Sequence, residues 1–159
     1  MKIYFAHPCF NEKQRHFKKI FLDKLSSALS QTQYTSDISI VDPFDFSPNV
    51  EGDIQTKLEM AETIKTEWIR LLMESDLILA LIDDNDTGTA FEAGYADAIN
   101  KPVILISRED CSVANTMLVG AAKVVVNNIL EEDQIERLTG LIKFFYGTCR
   151  ASKKNPRYN

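Results

Sequence analysis

The stretch Leu77-Ile-Leu-Ala-Leu-Ile-Asp-Asp-Asn-Asp-Thr-Gly-Thr-Ala-Phe-Glu-Ala-Gly-Tyr-Ala96 decides how this chain folds. Leu77 to Ile82 is a continuous apolar run, the pattern of a strand covered on both faces in a parallel sheet. Asp83, Asp84 and Asp86 crowd its carboxyl end, Gly88 permits a tight turn, and the residues beyond read as a helix with Glu92 in its first turn. In open α/β sheets, ligands bind outside the carboxyl ends of the strands. Asp86 and Glu92 are therefore candidates for chemistry. Thr89 and Glu92 also have the form of a capping box, in which each side chain satisfies the other's backbone N–H. The competing reading is an ionised carboxylate, favoured by the helix dipole and able to act as a nucleophile.

The rest of the chain supplies the surrounding elements. Ile3 to Ala6 reads as a first strand, followed by the loop His7-Pro8-Cys9-Phe10. Asn11, with Gln14 three residues later, marks a helix start, and Phe17, Ile20, Phe21, Leu25 and Leu29 recur at helical spacing. Ile38 to Val41 is a second strand. Asp42 to Asp53, with two prolines and a glycine, is a loop. A helix over about 55–73 places Leu58, Ala61, Ile64, Trp68 and Leu72 on its inner face. After the Leu77 strand and the Glu92 helix come a strand at Val103 to Ile106, a loop through 107–113, a short helix near 115–119, a strand at Val124 to Val126 and a helix over about 131–146.

Strands alternating with helices imply right-handed βαβ units and a parallel sheet. The fold expected is a single doubly wound α/β domain, flavodoxin-like or Rossmann-like, with five parallel strands in the order 2-1-3-4-5. That order sets the first and third strands side by side. The loop after Ala6 then faces the loop after Ile82 across one crevice. The domain should span residues 1–150, leaving 151–159 as a tail.

Composition narrows the function. The chain has 159 residues, a size for one domain, and 18 basic against 23 acidic residues leave a net charge of −5. No basic face is concentrated, so neither nucleic acid nor an anionic membrane is the expected partner. No apolar run is long enough for a membrane helix, and Met1-Lys2-Ile3 leads directly into a strand rather than a signal peptide. Cys9, Cys111 and Cys149 are odd in number and far apart, as expected for reduced thiols in a cytoplasmic protein. With two histidines and no paired cysteines, no metal site is expected. The chain contains neither G-x-G-x-x-G nor a phosphate-binding P-loop, and the first loop has no glycine, so no nucleotide cofactor is expected. No nucleophile elbow supports a serine triad. Carboxylate chemistry beside an aromatic loop remains, and glycosidic bonds are the common target of that arrangement.

At this point the chain resembles the nucleoside 2-deoxyribosyltransferase family. Ile3-Tyr4-Phe5-Ala6-His7-Pro8-Cys9-Phe10, with Gln14-Arg15 following, is similar to the family's opening strand and loop. Asp86-Thr-Gly-Thr-Ala-Phe-Glu92-Ala-Gly-Tyr is similar to its nucleophile segment, Asn100-Lys101-Pro102-Val103 leads the next strand, and Asn115-Thr116-Met117 resembles its Asn-x-Met element. The resemblance implies an enzyme that moves 2-deoxyribose between purine or pyrimidine bases in nucleoside salvage. Its substrates would be 2-deoxyribonucleosides and free nucleobases, with no cofactor. It implies Glu92 as nucleophile, Tyr4 as the hydroxyl orienting that carboxylate, and Asp86 as the acid that helps protonate the departing base. Phe10 and Gly88 would border the substrate. Asn115, Met117 and the C-terminal Tyr158 would reach a neighbouring subunit's site, in a homo-oligomer built from dimers, a hexamer in the fullest form.

One position departs from the family pattern. Many relatives carry Asp or Asn eight residues before the acid that opens the third strand, to hold the base. Counted from Asp76, that position is Trp68. Glu67 is adjacent but turned by about 100° on a helix. Two rival readings follow. A nucleotide N-glycosidase of the same superfamily would need a phosphate site of serine, glycine and arginine in the first loop, which is missing here. A non-catalytic nucleoside sensor is the reading that Trp68 favours.

Overall fold

The computed structural model describes residues 1–32, 35–47, 50, 53–110 and 115–154. Five strands, β1 (Lys2–Ala6), β2 (Ser39–Val41), β3 (Leu77–Leu81), β4 (Val103–Ile106) and β5 (Val124–Val126), form one sheet in the order β2-β1-β3-β4-β5. Every pairing is parallel, and the register sets Tyr4 beside Ile78 and Ala6 beside Ala80. The doubly wound order read from the sequence is the order observed. Helices α1 (Glu12–Ser30), α2 (Ile54–Glu74), α3 (Thr87–Ala98) and α4 (Thr116–Ala121) connect successive strands, and α5 (Glu132–Lys154) follows β5.

Side chains alternate across the sheet, and the two faces differ in bulk. On one face Ile3, Phe5, Leu77, Leu79, Leu81, Ile104 and Ile106 pack against Phe17, Phe21, Leu25 and Leu29 of α1 and Ile135, Leu138 and Ile142 of α5. The other face carries Tyr4, Ala6, Ile78, Ala80, Val103 and Leu105 under Leu71, Leu72, Ala93 and Ala96. Alanines on both sides of that second layer let α3 approach the sheet closely. This is the approach that brings a side chain of α3 within reach of Tyr4.

Most helix ends follow the expected chemistry. Asn11 and Gln14 form a capping box at the start of α1. Asp53 caps α2 by accepting from the Thr56 N–H, and Asn115 caps α4. The start of α3 corrects the sequence reading. Its cap is Asp86, whose Oδ2 accepts from the Thr89 N–H at 2.7 Å, and Thr89 lies inside the helix. There is no Thr89–Glu92 capping box; the Thr89 hydroxyl is buried without a hydrogen-bond partner among the described residues. An Asp three residues before Thr89 outcompetes it because an ionised acceptor makes the stronger bond to a helix-end N–H.

The inner face expected for α2 also needs correction. Leu72 and its neighbour Leu71 are buried, whereas Leu58 is 63% exposed and Ala61 is exposed. The reason is length. α2 has 21 residues, roughly 31 Å, while β3 has five, roughly 17 Å. A crossover helix runs antiparallel to the strands and must end level with the start of β3. Its first half therefore projects past the carboxyl edge of the sheet and stands over the crevice. α5 likewise runs eight residues beyond the end expected from the sequence.

Candidate active site

Glu92 is the sixth residue of α3, in its second turn and not its first. The helix dipole fades within the first turn, so it contributes little here. The surroundings act instead. Glu92 is 6% exposed, and the Tyr4 hydroxyl, itself fully buried on β1, donates a hydrogen bond to its Oε1. Burial first, and then the charges of Asp86 and Asp42, push the Glu92 carboxyl up to about 7 against the lowering effect of the Tyr4 bond. Tyr4 is itself raised far above its ordinary range, by burial first and then by the Glu92 charge, so it stays a proton donor.

Glu92 forms part of the lining of a cavity of about 340 Å³, a size that suits a small organic ligand. The other walls are Val50, the α2 face of Lys57, Ala61, Ile64, Lys65, Trp68 and Ile69, and Gly88 and Phe91 of α3. The projecting half of α2 is thus one wall of the site, and its spacing of 57, 61, 64/65 and 68 is a single helical face. A Cβ placed at Gly88 would lie 3.2 Å from Asp86 Oδ2.

Phe10, 47% exposed, meets Phe44 edge-on, and Phe44 meets Trp68 in the same way with ring centroids 5.0 Å apart. An aromatic wall therefore runs from the first loop to the cavity. Phe44 was not singled out from the sequence, and neither was the buried group beneath it. His7 Nε2 lies 3.3 Å from Asp42 Oδ1, without hydrogen-bond alignment, and Lys18 Nζ donates to Asp42 Oδ2 at 2.7 Å. Asp42 also caps the turn Pro43–Asp45 that presents Phe44. Burial works against the Asp42 carboxylate, yet His7 and Lys18 bring it below its ordinary value. The signal was the Asp42-Pro43 pair directly after β2, at the carboxyl edge next to β1.

The other predicted residues are placed as follows. Asp86 spends one carboxylate oxygen on the α3 cap and does not line the cavity. Glu67 is paired with Arg70 at 2.7 Å, and Trp68 is the residue that faces the cavity. Asn115 accepts from the Met117 N–H, Met117 is 83% exposed, and neither lines the Glu92 cavity. Tyr158 lies outside the described residues.

A family model described as nucleoside 2-deoxyribosyltransferase matches residues 3–152. The chain belongs to that family. Family members are enzymes that act on nucleosides and bases. Among solved structures, a 2-deoxyribosyltransferase from Bacillus psychrosaccharolyticus is 25% identical, with 86% of this chain and 90% of that one covered at a TM-score of 0.62. A conserved protein from Enterococcus faecalis V583 is 22% identical, covering 89% and 98% at a TM-score of 0.60, and shares the fold. A CMP N-glycosidase from Clostridium botulinum shares the fold at 17% identity, covering 91% and 99% at a TM-score of 0.51. No curated protein is significantly similar in sequence. Among the described residues, no helix is long and apolar enough to cross a membrane.

Proposed function

We propose that this member of the family is a nucleoside 2-deoxyribosyltransferase that exchanges purine or pyrimidine bases through a covalent deoxyribosyl–Glu92 intermediate. The observation that carries the reading is a buried carboxylate, held by the Tyr4 hydroxyl, in the wall of a cavity of nucleoside size. In the first step a Glu92 oxygen bonds to C1′ of the sugar as the C1′–N bond to the base breaks. The bonding pair leaves with the base, and Asp86, at the start of α3, helps deliver the proton that neutralises it. In the second step the nitrogen of another base attacks C1′, its N–H proton passes to Asp86, and Glu92 departs as a carboxylate. Charge at C1′ in the transition state is offset by the Glu92 carboxylate directly against it. The missing 2′-hydroxyl makes that cation easier to form. Phe10, Phe44 and Trp68 supply the face on which a base stacks, and Gly88 leaves room for it.

The enzyme works as a homo-oligomer in which Asn115, Met117 and Tyr158 serve a neighbour's site. The support is the exposure of Met117, together with half-exposed Phe91 and Met73 and largely exposed Ile54 and Leu58 along α2 and α3, an apolar surface that a second subunit would cover. Sedimentation should show an assembly larger than the 18.0 kDa chain.

The reaction is tested by giving the protein a deoxynucleoside with and without a second free base. The expected result is exchange of bases, with intact mass rising by one deoxyribosyl unit in the wild type and unchanged in Glu92→Ala. Release of free sugar at the same rate with or without the acceptor base would assign the N-glycosidase reaction instead. Equal inactivity of wild type and Glu92→Ala on a broad panel would assign a sensor.

A further inference from the structure

We infer that Asp42 is a positioning residue of this site: it fixes the turn Pro43–Asp45 so that Phe44 braces Trp68 in the cavity wall, and its charge acts on Glu92. The role rests on the base exchange proposed above and adds to it a residue outside the cavity lining. Asp42 follows β2 directly and is 4% exposed, with both carboxylate oxygens engaged. Oδ1 accepts from the Phe44 N–H at 2.9 Å, and Oδ2 accepts from Lys18 Nζ of α1 at 2.7 Å. His7, just past the end of β1, sets its Nε2 3.3 Å from Oδ1. Its Nδ1 donates to the Pro8 carbonyl at 3.1 Å, and its ring packs on Phe5 and Phe44 with centroids 4.3 and 5.3 Å away. Phe44 is thus held twice, through its backbone by Asp42 and through its ring by His7. The ring then meets Phe10 and Trp68 edge-on, and Trp68 shares the cavity with Glu92.

A three-residue turn does not need an ionised cap. A serine or asparagine would serve it without the cost of desolvating a carboxylate. The charge is surplus to the turn, and its reach extends to the reacting pair. Beyond burial, the largest influence at both, the Asp42 charge helps raise the Glu92 carboxyl and the Tyr4 hydroxyl. The titratable groups facing Asp42 are His7, Lys18, Cys9 and Tyr4. Those facing Glu92 are Tyr4, Asp86, Asp42 and the cavity residues Lys57 and Lys65. Asp42 therefore joins the shape of the wall to the charge state of the nucleophile, from a position that neither lines the cavity nor reacts.

Two substitutions at Asp42 separate the parts. Asp42→Ala removes cap and charge, and should raise KM for a deoxynucleoside about fivefold, the worth of one side-chain cap, with kcat little changed. Asp42→Asn keeps an oxygen for the Phe44 N–H and removes the charge. It should return KM toward the wild-type value while the pH midpoint of the rise in kcat/KM moves down, because Glu92 ionises more readily. A residue that only stabilises the fold would lower the melting temperature and move neither quantity. An unchanged KM in Asp42→Ala, no recovery of KM in Asp42→Asn, or an unmoved midpoint overturns the role. A further readout needs no turnover and holds even where Asp42→Ala does not fold. Trp68 is the chain's single tryptophan, so its fluorescence reports the brace directly. Emission should move to longer wavelength in Phe44→Leu, which keeps Asp42 but loses the ring, and in folded Asp42→Ala, and should stay in place in Asp42→Asn. Emission that stays in place in Phe44→Leu, or moves in Asp42→Asn, overturns the role. Absence of exchange and of adduct in the wild type would instead overturn the transferase reading, and the Trp68 emission would still decide this one.

Discussion

The acids after β3 fall into two groups, one in the loop and one on α3, that meet opposite surroundings. Asp83 and Asp84 face a cation. Arg108 donates its backbone N–H to Asp83 Oδ2 at 2.8 Å and its Nη2 to Asp84 Oδ1 at 2.7 Å, while Gln14 donates to Asp84 Oδ2 at 3.1 Å. The guanidinium also lies over the Phe17 ring, so the group bolts β4 and α1 to the end of β3. Burial raises the Asp83 carboxyl despite Arg108; Asp84, also partly desolvated, is held below its ordinary value by Gln14 and Arg108. Glu92, on α3, is more deeply buried and among the described residues has no cation paired with it, only a neutral hydroxyl. A carboxylate satisfied by a guanidinium is inert structure, whereas one desolvated beside a cavity retains its nucleophilicity.

The comparison breaks most sharply at Glu92. Glu92→Gln should lower kcat/KM for base exchange by about 10⁴-fold or more, because in the proposed reaction the covalent step has no substitute. The same variant tests the burial argument by stability. Folding raises this carboxyl from 4.5 to about 7, so its contribution is fully present below about pH 4.5 and is lost as pH rises through about 7. The glutamine is neutral throughout. Thermal melts should show Glu92→Gln gaining on wild type between about pH 4.5 and pH 8, by up to about 3 kcal/mol. No relative gain would mean that Glu92 is as well satisfied as Asp84.

Tyr4→Phe removes the one bond that favours the ionised form. We expect a fall of about 10²-fold in kcat/KM, from loss of orientation, and an upward shift in the pH midpoint of its rise. A fall with no shift in midpoint would show that Tyr4 only packs.

On the other side of the comparison, Arg108→Ala should cost about 2 kcal/mol in denaturant unfolding, by leaving Asp83 and Asp84 desolvated and unpaired. Exchange activity per folded molecule should remain. A selective loss of activity would place Arg108 in the site. The smallest change is Asp86→Asn. Asparagine caps a helix about as well as aspartate, so stability should stay within about 0.5 kcal/mol. Loss of the Asp86 charge should shift the pH midpoint of Glu92 downward, and substrates with poorer leaving bases should slow the most.

How much of this was legible varied with the range of the interaction. The unbroken apolar run of β3 announced a strand buried on both faces, and the alternation of elements led to the strand order. That order in turn set Tyr4 opposite the Glu92 helix. The start of α3 was misread because Asp86 and Thr89 both satisfy the local rule for a cap, and only the observed backbone shows which one turns into the helix. Phe44, Asp42 and the cavity face of α2 were missed because nothing local distinguishes a helix that lies on the sheet from one that overhangs it.

The amino-acid sequence by itself determined the main strands and helices and the sheet order, and it put Glu92 forward as the candidate carboxylate, because periodicity, caps and turn residues act over a few positions. Only the tertiary structure decided which acid would be neutralised and which desolvated, and that Trp68 would share a cavity with Glu92. Charge state and ligand contact depend on groups brought together from distant parts of the chain: Tyr4 to Glu92, Arg108 to Asp83 and Asp84, Trp68 to Phe44.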